Sequence, residues 1–314
     1  MRIVFCGTPE FAVPSLQRLA EEPGFSIEGV ITQPDRPRGR GQKVAAGPVK
    51  EAAIQLDLHV YQPESIKSES ATDFLRETAP DVIVIIAYGH IIPARLLPLP
   101  RFGWINLHAS LLPKYRGAAP IAWAIANGET TTGLTTMQID AGMDTGPIVL
   151  QKEIPIGVDE TAPELSARMA VAGAPLVLEA LRMVEAGNCP AQAQDSARAT
   201  FAPMLKKEDG RIDWNRTAGQ INNRIRGFTP WPGAYTTLRG QTWQIWGREA
   251  PDAVAVSTEV TGEIVASSSA IYVMCGRGTI LEIQGVQAEG RKRIAALDFA
   301  NGIHLVQGER FGNP

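Results

Sequence analysis

Three polar residues have types that suit oxyanion stabilisation and proton transfer. Asn106 and His108 end the segment GWINLH, and Asp144 follows in a glycine-rich stretch. Alternate side chains of an extended segment share one face, so Asn106 and His108 should lie side by side. An amide donor beside an imidazole can stabilise an oxyanion and move a proton, while a carboxylate can orient the imidazole and favour its protonated form. The triplet could therefore carry chemistry in which an oxyanion is stabilised and a proton is moved.

Residue types alone leave a second interpretation of this triplet open. A histidine at a strand end often serves as a hydrogen-bonded structural residue, and an aspartate between glycines often forms a turn. No H-x-x-x-H spacing occurs among the four histidines and no C-x-x-C pair among the three cysteines. We therefore expect no metal site and no disulfide framework.

The segments before His108 predict an α/β domain with a mostly parallel sheet. Short β-branched runs at 2–6, 26–32 and 81–87 alternate with helical patterns, which indicates βαβ units. The run Val82–Ile86 is apolar on both faces, as is typical of a central strand covered by helices. Residues 103–106 predict a further strand, and ligands of such sheets bind beyond the carboxyl ends of the strands. Asn106 and His108 are placed at such an end.

The segments after His108 predict a helix, an antiparallel edge and a second helix. Residues 120–127 are helical and stop at a glycine. Residues 132–138 and 148–156 predict two strands joined by the turn IDAGMDTG. A T-x-x-E capping box at Thr161 opens a helix to about residue 185, which Gly173 and Pro175 should bend.

Domain boundaries follow from a change in composition. Residues 190–207 are rich in Ala, Gln, Ser and Pro without a period, which predicts a linker. Residues 1–189 then form the catalytic domain. Residues 208–314 show strand-turn-strand patterns typical of a small antiparallel β-barrel.

The amino-acid composition excludes several classes of protein. With 314 residues, 44% of them hydrophobic, the chain has ample material for two globular domains and is not a disordered protein. No apolar run approaches the ~18 residues of a membrane span, and no secretory signal is recognisable. We expect a cytoplasmic protein that does not engage a membrane.

Charge is unevenly distributed although the net charge is −3. Residues 33–50 carry Arg36, Arg38, Arg40, Lys43 and Lys50 against one acidic residue, a local excess of +4. Such a segment can follow RNA phosphates, but solvated charge runs are common, so an RNA contact and a plain surface loop both remain open. Residues 208–314 hold 11 basic and 11 acidic side chains and cannot form a uniformly positive surface.

The segment NLHASLLPKYRGAAP, residues 106–120, followed by DAGMDTG, residues 140–146, resembles the signature of the folate-dependent formyltransferases. The similarity extends along the chain through GTPEFAVPSL, QPDRPRGRGQ, FAPMLKKEDGRIDW and IRGFTPWPGAY. It implies a Rossmann-like N-terminal domain and an OB-like C-terminal barrel. It also implies formyl transfer from 10-formyltetrahydrofolate to the α-amino group of methionine on initiator tRNA, which supplies formylmethionyl-tRNA for translation initiation.

The resemblance also assigns roles to residues. Asn106, His108 and Asp144 match the catalytic positions of the family without departure. The folate pocket is implied at Tyr88, Gly89, His90 and Ile91 and at Ser110, Leu111, Leu112 and Pro113, where an apolar wall with free backbone amides suits a flat pterin. Contacts to tRNA are implied for Arg36, Arg38, Arg40, Lys43, Lys206 and Lys207. Lys206 and Lys207, with Arg224 and Arg226, extend this patch towards the second domain, or else all four form salt bridges with Glu208, Asp209 and Asp213.

Three rival functions remain. A folate-dependent N-formyltransferase acting on an amino sugar or on glycinamide ribonucleotide would use the same chemistry, but the basic segment and the C-terminal barrel favour a macromolecular acceptor. A non-catalytic RNA-binding protein would not need the Asn, His and Asp set. A nicotinamide oxidoreductase is disfavoured because residues 7–11 lack the G-x-G-x-x-G fingerprint. We expect a monomer with a small-molecule folate donor and initiator methionyl-tRNA as partners.

Overall fold

The computed structural model describes residues 1–38, 43–251, 258–306 and 308–312. No helix in these ranges combines the length and the apolar character needed to cross a membrane. The strands are β1 (Arg2–Gly7), β2 (Ser26–Ile31), β3 (Arg36–Arg38), β4 (Lys43–Ala45), β5 (Val60–Tyr61), β6 (Val82–Ile86), β7 (Trp104–His108), β8 (Thr131–Gln138), β9 (Ile148–Pro155), β10 (Tyr235–Leu238), β11 (Gln241–Glu249), β12 (Ile264–Ala266), β13 (Ile271–Met274), β14 (Ile280–Ala288) and β15 (Ile294–Ala295). The helices are α1 (Val13–Ala20), α2 (Pro48–Gln55), α3 (Glu69–Thr78), α4 (Pro120–Ala126), α5 (Ala162–Glu185), α6 (Ala218–Gly227) and α7 (Ala296–Gly302).

The chain divides into two compact units. The first comprises residues 1–120, 131–155 and 164–203, and the second comprises residues 121–130, 156–163 and 204–314. Neither unit is one continuous stretch of sequence. The single linker predicted from composition does not describe this interleaved arrangement.

The first unit contains a seven-stranded sheet in the order β5-β2-β1-β6-β7-β8-β9. The strands from β5 to β7 run parallel, whereas β8 and β9 are antiparallel to their neighbours. All five residues of β6 are buried, which agrees with their uniformly apolar character. The predicted mostly parallel α/β sheet with an antiparallel edge is confirmed.

Helix α5 anchors the strand that carries Asn106 and His108. The helix continues without interruption through Gly173 and Pro175, the two positions at which its sequence predicts a bend. A Cβ atom at Gly173 would lie 2.6 Å from a methyl carbon of Leu107. The missing side chain therefore lets α5 approach β7 closely and cover the face opposite to His108.

Residues 190–203 belong to the first unit rather than to a free linker. The N–H of Arg116 donates to the carbonyl of Thr200 at 2.9 Å, and the N–H of Ala202 donates to the carbonyl of Arg116 at 2.7 Å. A Cβ atom at Gly117 would lie 2.6 Å from the Ala202 oxygen. This segment is held by its backbone, which its composition could not reveal.

The second unit is an antiparallel sheet packed against α6 and α7. Its strand order is β10-β11-β14-β13-β12, and β15 pairs with β14. Helix α6 begins with a capping box between Thr217 and Gln220. The strands curl into a half-barrel whose edge strands β12 and β10 are joined by the C-terminal segment: the Ile264 N–H donates to the Glu309 carbonyl at 2.9 Å, and the Gly312 N–H donates to the Thr237 carbonyl at 2.8 Å.

Helix α4 packs closely within the second unit because α6 has a glycine where the two helices meet. A Cβ atom at Gly227 would lie 2.6 Å from the Ala122 carbonyl oxygen. The Trp123 ring meets Phe228 edge to face at a centroid distance of 5.3 Å. Close backbone approach and aromatic contact thus bring residues 121–130 into this unit.

Candidate active site

Asn106 and His108 lie at the carboxyl end of β7, between parallel β6 and antiparallel β8. The register pairs Asn106 with Ile85 on one side and with Met137 on the other. Both polar side chains therefore project from the same face, as their spacing predicts. This edge of the sheet is where ligands of open α/β folds bind.

The His108 imidazole is held on both sides. The side chain is buried, and its Nε2 atom lies 2.9 Å from the Tyr115 carbonyl oxygen. A carbonyl oxygen only accepts hydrogen bonds, so Nε2 carries a proton and donates it. The Nδ1 atom faces Asp144 Oδ2 at 3.7 Å, beyond hydrogen-bond distance. Nδ1 is therefore the ring atom left to exchange a proton with a reactant.

Asp144 lies in the predicted glycine-rich turn. Its φ of 53° is left-handed, a conformation that Asp tolerates better than most residues. Its Oδ2 atom accepts a hydrogen bond of 2.7 Å from the Gly117 N–H. The turn is further closed by Asp140, which accepts from the Gly142 N–H at 2.9 Å and from the Thr145 hydroxyl at 2.6 Å. These contacts fix the carboxylate beside the imidazole.

The Asn106 amide is uncommitted. Its side chain is half-buried, and it makes no hydrogen bond to any residue in the described part of the chain. Buried polar groups normally find partners. An amide at the carboxyl end of a strand, beside His108 and without an internal partner, is available to a ligand.

The loop Ser110–Pro113 is satisfied from within. The Leu112 N–H donates to Thr135 Oγ1 at 3.1 Å, and the Leu112 carbonyl accepts from Gln151 at 2.9 Å. The Ser110 hydroxyl donates to the Lys114 carbonyl at 2.6 Å, and its own carbonyl accepts from Thr135 at 2.6 Å. The amide of Leu112 is therefore not free, contrary to the expectation from sequence, because a threonine of β8 lies beneath it. Leu111 and Pro113 keep accessible surface.

The segment Tyr88–Ile91 follows β6 at the same edge of the sheet. The Tyr88 ring is in the core, and burial raises the pKa of its phenol far above the ordinary value, which keeps it neutral. Its carbonyl accepts from Gln33 Nε2 at 2.8 Å. Gly89 adopts a φ of 83°, and Ile91 is 78% exposed. The side chain of Tyr88 thus serves packing, whereas Gly89, His90 and Ile91 offer surface.

The basic segment forms a hairpin in which β3 pairs antiparallel with β4. The register pairs Arg36 with Ala45 and Arg38 with Lys43, and Arg36 is exposed. Arg40 lies outside the described residues. Lys50 is bound to Asp35 at 2.6 Å, so this lysine is neutralised within the unit.

The basic residues of the second unit differ in whether their side chains are bound within the unit. Lys206 and Lys207 are exposed and form no ion pair within the described ranges. Arg224 donates to the Asp209 carbonyl at 3.0 Å and lies over the Phe228 ring, and Arg226 donates to the Glu160 carbonyl at 2.7 Å. Burial lowers the pKa of both guanidinium groups. These two arginines stabilise the unit through carbonyls and an aromatic ring, not through the predicted carboxylates.

Two further features of the described ranges bear on cofactors. No cluster of three metal-ligating side chains is present there. A cleft of about 340 Å³ lies at the amino end of β7, lined by residues that include Trp104, Gln138 and Cys189. It lies four residues along β7 from His108, roughly 13 Å, and is separate from the triplet.

Sequence reasoning missed the residues that hold the triplet in place. Gly117 donates to the Asp144 carboxylate, and Gln194 donates to the Asp144 carbonyl in the turn. Thr135 accepts from the Leu112 N–H and so holds the Ser110–Pro113 loop. Gly117 has a positive φ, and an isolated glycine in a loop sequence is a signal for such a conformation. Thr135 and Gln194 carry no local signal, because their roles depend on tertiary packing.

Two family models cover most of the chain. Residues 1–181 match the model described as formyl transferase, and residues 204–304 match the formyl transferase C-terminal domain. The chain belongs to the formyltransferase family. It is therefore a group-transfer enzyme, and the predicted formyltransferase fold is confirmed.

Relatives that match over nearly the full length indicate which members of this family the chain is similar to in sequence. A methionyl-tRNA formyltransferase of Solibacter usitatus (strain Ellin6076) is 51% identical over 312 residues, which is 99% of each chain. One of Geobacter sulfurreducens is 49% identical over 313 residues, covering 99% of this chain and 97% of the relative. The resemblance stated from motifs is confirmed over the whole length.

Solved formyltransferases share the fold at low identity. An N-formyltransferase from Helicobacter canadensis, solved with folinic acid and dTDP-3-aminofucose, matches with a TM-score of 0.67 at 18% identity over 91% of this chain and 98% of its own. A sugar 3N-formyl transferase, solved in the presence of dTDP and 5-N-formyl-THF, matches with a TM-score of 0.66 at 17% identity over 93% and 99%. The formyltransferase architecture thus extends to enzymes of very different sequence.

Proposed function

We propose that this formyltransferase moves the formyl group of 10-formyltetrahydrofolate to the α-amino group of methionine on initiator tRNA. The product is formylmethionyl-tRNA for translation initiation, so we place the enzyme in the cytoplasm. The observation that carries the proposal is the convergence of Asn106, His108 and Asp144 at one strand end, in a chain about half identical to methionyl-tRNA formyltransferases over its full length. The geometry of the site supports the proposed chemistry, and the similarity to these relatives supports methionyl-tRNA as the acceptor.

Asn106 is suited to stabilise the oxygen of the formyl group. When the neutral amine attacks the formyl carbon, that oxygen gains negative charge. The Asn106 amide has no internal partner and can donate to it most strongly in the transition state. Differential stabilisation of this kind raises kcat and not merely affinity.

His108 is suited to move the proton that the reaction must relocate. A new amide bond forms between the amine nitrogen and the formyl carbon, and the bond from that carbon to N10 of the folate breaks. One proton leaves the attacking amine and one joins the departing nitrogen, so the proton count balances. Nδ1 of His108 can relay it directly or through water, and Asp144 at 3.7 Å stabilises the imidazolium formed between the two transfers.

The donor is proposed to lie along the carboxyl ends of β6 and β7. Register pairing of Ile85 with Asn106 shows that the segments after both strands leave the sheet at the same edge. Those segments contain the two predicted folate stretches, residues 88–91 and 110–113. We assign ligand surface to Gly89, His90, Ile91, Leu111 and Pro113, and we assign the support of that surface to Tyr88, Ser110 and Leu112.

The tRNA is proposed to contact two separate basic surfaces. One is the hairpin of β3 and β4, which bears Arg36, Arg38 and Lys43, together with Arg40 outside the described residues, and the other is the exposed pair Lys206 and Lys207. A two-stranded hairpin can present positive charge to phosphates, and each phosphate contact contributes to a salt-dependent affinity. We propose that residues 208–314 form the tRNA-binding barrel and that the enzyme works as a monomer.

The test supplies purified enzyme with 10-formyltetrahydrofolate and methionyl initiator tRNA and measures formylmethionine released from the tRNA. His108→Ala should nearly abolish turnover, and because it also removes the donor to the Tyr115 carbonyl it should cost about 1–3 kcal/mol of stability, so the folded fraction is measured beside the rate. Full activity in this variant would overturn the proton-transfer role. Absence of product with the wild-type enzyme would overturn the proposed function itself.

A further inference from the structure

Gln194 uses its whole amide group to link two parts of the candidate site. Its Nε2 atom donates to the Asp144 carbonyl at 2.9 Å and to the Gly146 carbonyl at 2.8 Å. Its Oε1 atom accepts from Arg116 Nε at 3.2 Å and Nη2 at 2.8 Å. A guanidinium only donates, so the orientation of the amide is fixed by its partners. Both donors and both acceptor positions of Gln194 are occupied.

These contacts close a ring around the Asp144 carboxylate. Arg116 is joined to Gly117 in the chain, and the Gly117 N–H donates to Asp144 Oδ2 at 2.7 Å. Gln194 thus holds the Asp144 backbone directly and holds the donor of the Asp144 carboxylate through Arg116. The Arg116 side chain is buried with no carboxylate partner among the described residues, which makes Gln194 its principal polar support.

Asp144 needs such support for two reasons. Its backbone is left-handed, with a φ of 53°, a conformation that surrounding structure must maintain. Its carboxylate is 3.7 Å from His108 Nδ1, so no direct hydrogen bond to the imidazole fixes its position. A shift of about 1 Å in a positioned group can cost ~10²-fold in rate.

We propose that Gln194 is a positioning residue, which holds the Asp144 turn in register with His108 for formyl transfer. The inference rests on the proposed function and adds a residue outside the signature motifs. Gln194 acts through Asp144 and does not contact the reactants. Removing it should therefore lower kcat and leave both KM values nearly unchanged.

Two variants separate the two halves of the amide. Gln194→Ala removes both, and we expect kcat to fall about 10- to 100-fold with KM for folate and tRNA changed less than about threefold. Gln194→Glu keeps an acceptor for Arg116 but, when ionised, presents oxygen to the Asp144 and Gly146 carbonyls. Since these oxygens repel, we expect Gln194→Glu to be as impaired as Gln194→Ala at neutral pH.

Gln192→Ala provides the matched control, because Gln192 is exposed and pairs with Ile148 only through its backbone. All proteins are compared by circular dichroism melting and by steady-state formylation of methionyl-tRNA. Wild-type kcat in Gln194→Ala, or in Gln194→Glu, would overturn the positioning role. Equal losses in kcat and in the folded fraction would assign Gln194 to stability alone, again overturning it. Inactivity of the wild-type enzyme would instead refute the proposed function.

Discussion

The substitution Asn106→Ala separates catalysis from stability because the structure gives this amide no internal task. Its side chain makes no hydrogen bond to the described residues, so its removal leaves no protein group unpaired. A half-buried side chain without partners should change the free energy of unfolding by less than about 1 kcal/mol. Loss of one oxyanion donor typically costs ~10² to 10³ in kcat, or about 2.7–4 kcal/mol in the transition state. Activity should therefore fall far more than stability.

The charge on the substituted side chain provides a second comparison. Asn106→Asp has nearly the same size, but an ionised carboxylate cannot donate and adds negative charge beside a developing oxyanion. We expect Asn106→Asp to lose at least as much kcat as Asn106→Ala. Asn188→Ala is the control, because Asn188 is exposed and its side chain makes no hydrogen bond within the described part of the first unit.

The assay is single-turnover formylation of methionyl-tRNA at saturating folate, with thermal unfolding measured on the same preparations. Single turnover isolates the chemical step from product release. A rate within tenfold of wild type for Asn106→Ala would refute the assignment of Asn106 as an oxyanion donor. A large loss of stability would refute the claim that its amide is uncommitted.

Further predictions concern the loop, the hairpin and the C-terminal closure. Gly117→Ala should destabilise the protein by about 2–4 kcal/mol and lower kcat, because φ is 122° and the new Cβ would lie 2.6 Å from the Ala202 oxygen. Arg36→Ala should raise KM for tRNA and make its salt dependence shallower, with folate affinity unchanged. Arg239 donates to both carboxylate oxygens of Glu309 at 2.6 and 2.8 Å, which lowers the pKa of Glu309 below its ordinary 4.5. Glu309 therefore contributes stability above pH 4.5 that is lost as the pH falls through the lowered pKa, and Arg239→Ala should flatten this part of the melting-temperature profile.

Each of these predictions has a control or a decisive outcome. Gly187→Ala also places alanine at positive φ, 71°, but into open space, so it should cost only about 1–2 kcal/mol and leave kcat unchanged. Arg101→Ala removes an exposed arginine from a position just before the amino end of β7 and should not alter KM for tRNA. If Arg36→Ala left the KM for tRNA unchanged, the hairpin would be a solvated surface segment and the proposed tRNA contact would be refuted. An unaltered acid profile in Arg239→Ala would contradict the assigned ion pair.

Periodicity and strand ends carry the predictable part of the fold. The apolar run Val82–Ile86 has no polar face, which is typical of a central strand, and β6 occupies that place. The alternation of Asn106 and His108 fixes their common face as soon as β7 is a strand. Glycine-rich turns likewise mark the link from β8 to β9. These features are local, and local patterns are what a sequence displays directly.

Tertiary contacts account for what sequence reasoning missed. Residues 190–203 have linker-like composition, yet their backbone is paired with residues 113–119. Arg224 and Arg226 could be expected to pair with the acidic residues at 208–213, but in space they meet carbonyls and an aromatic ring. Gln194 stands among residues that suggest no structure at all. Apart from Phe228, which follows Arg224 by four residues, these partners lie far along the chain, so no short window of sequence contains the interactions.

The central claim is the identity of the acceptor. Enzyme and 10-formyltetrahydrofolate carrying a labelled formyl group are mixed with methionyl initiator tRNA, free methionine and an amino sugar nucleotide together, and the label is located by mass spectrometry. We predict label on methionyl-tRNA alone. Label on the amino sugar alone would preserve the chemistry of Asn106, His108 and Asp144 but contradict the assignment of tRNA as the acceptor.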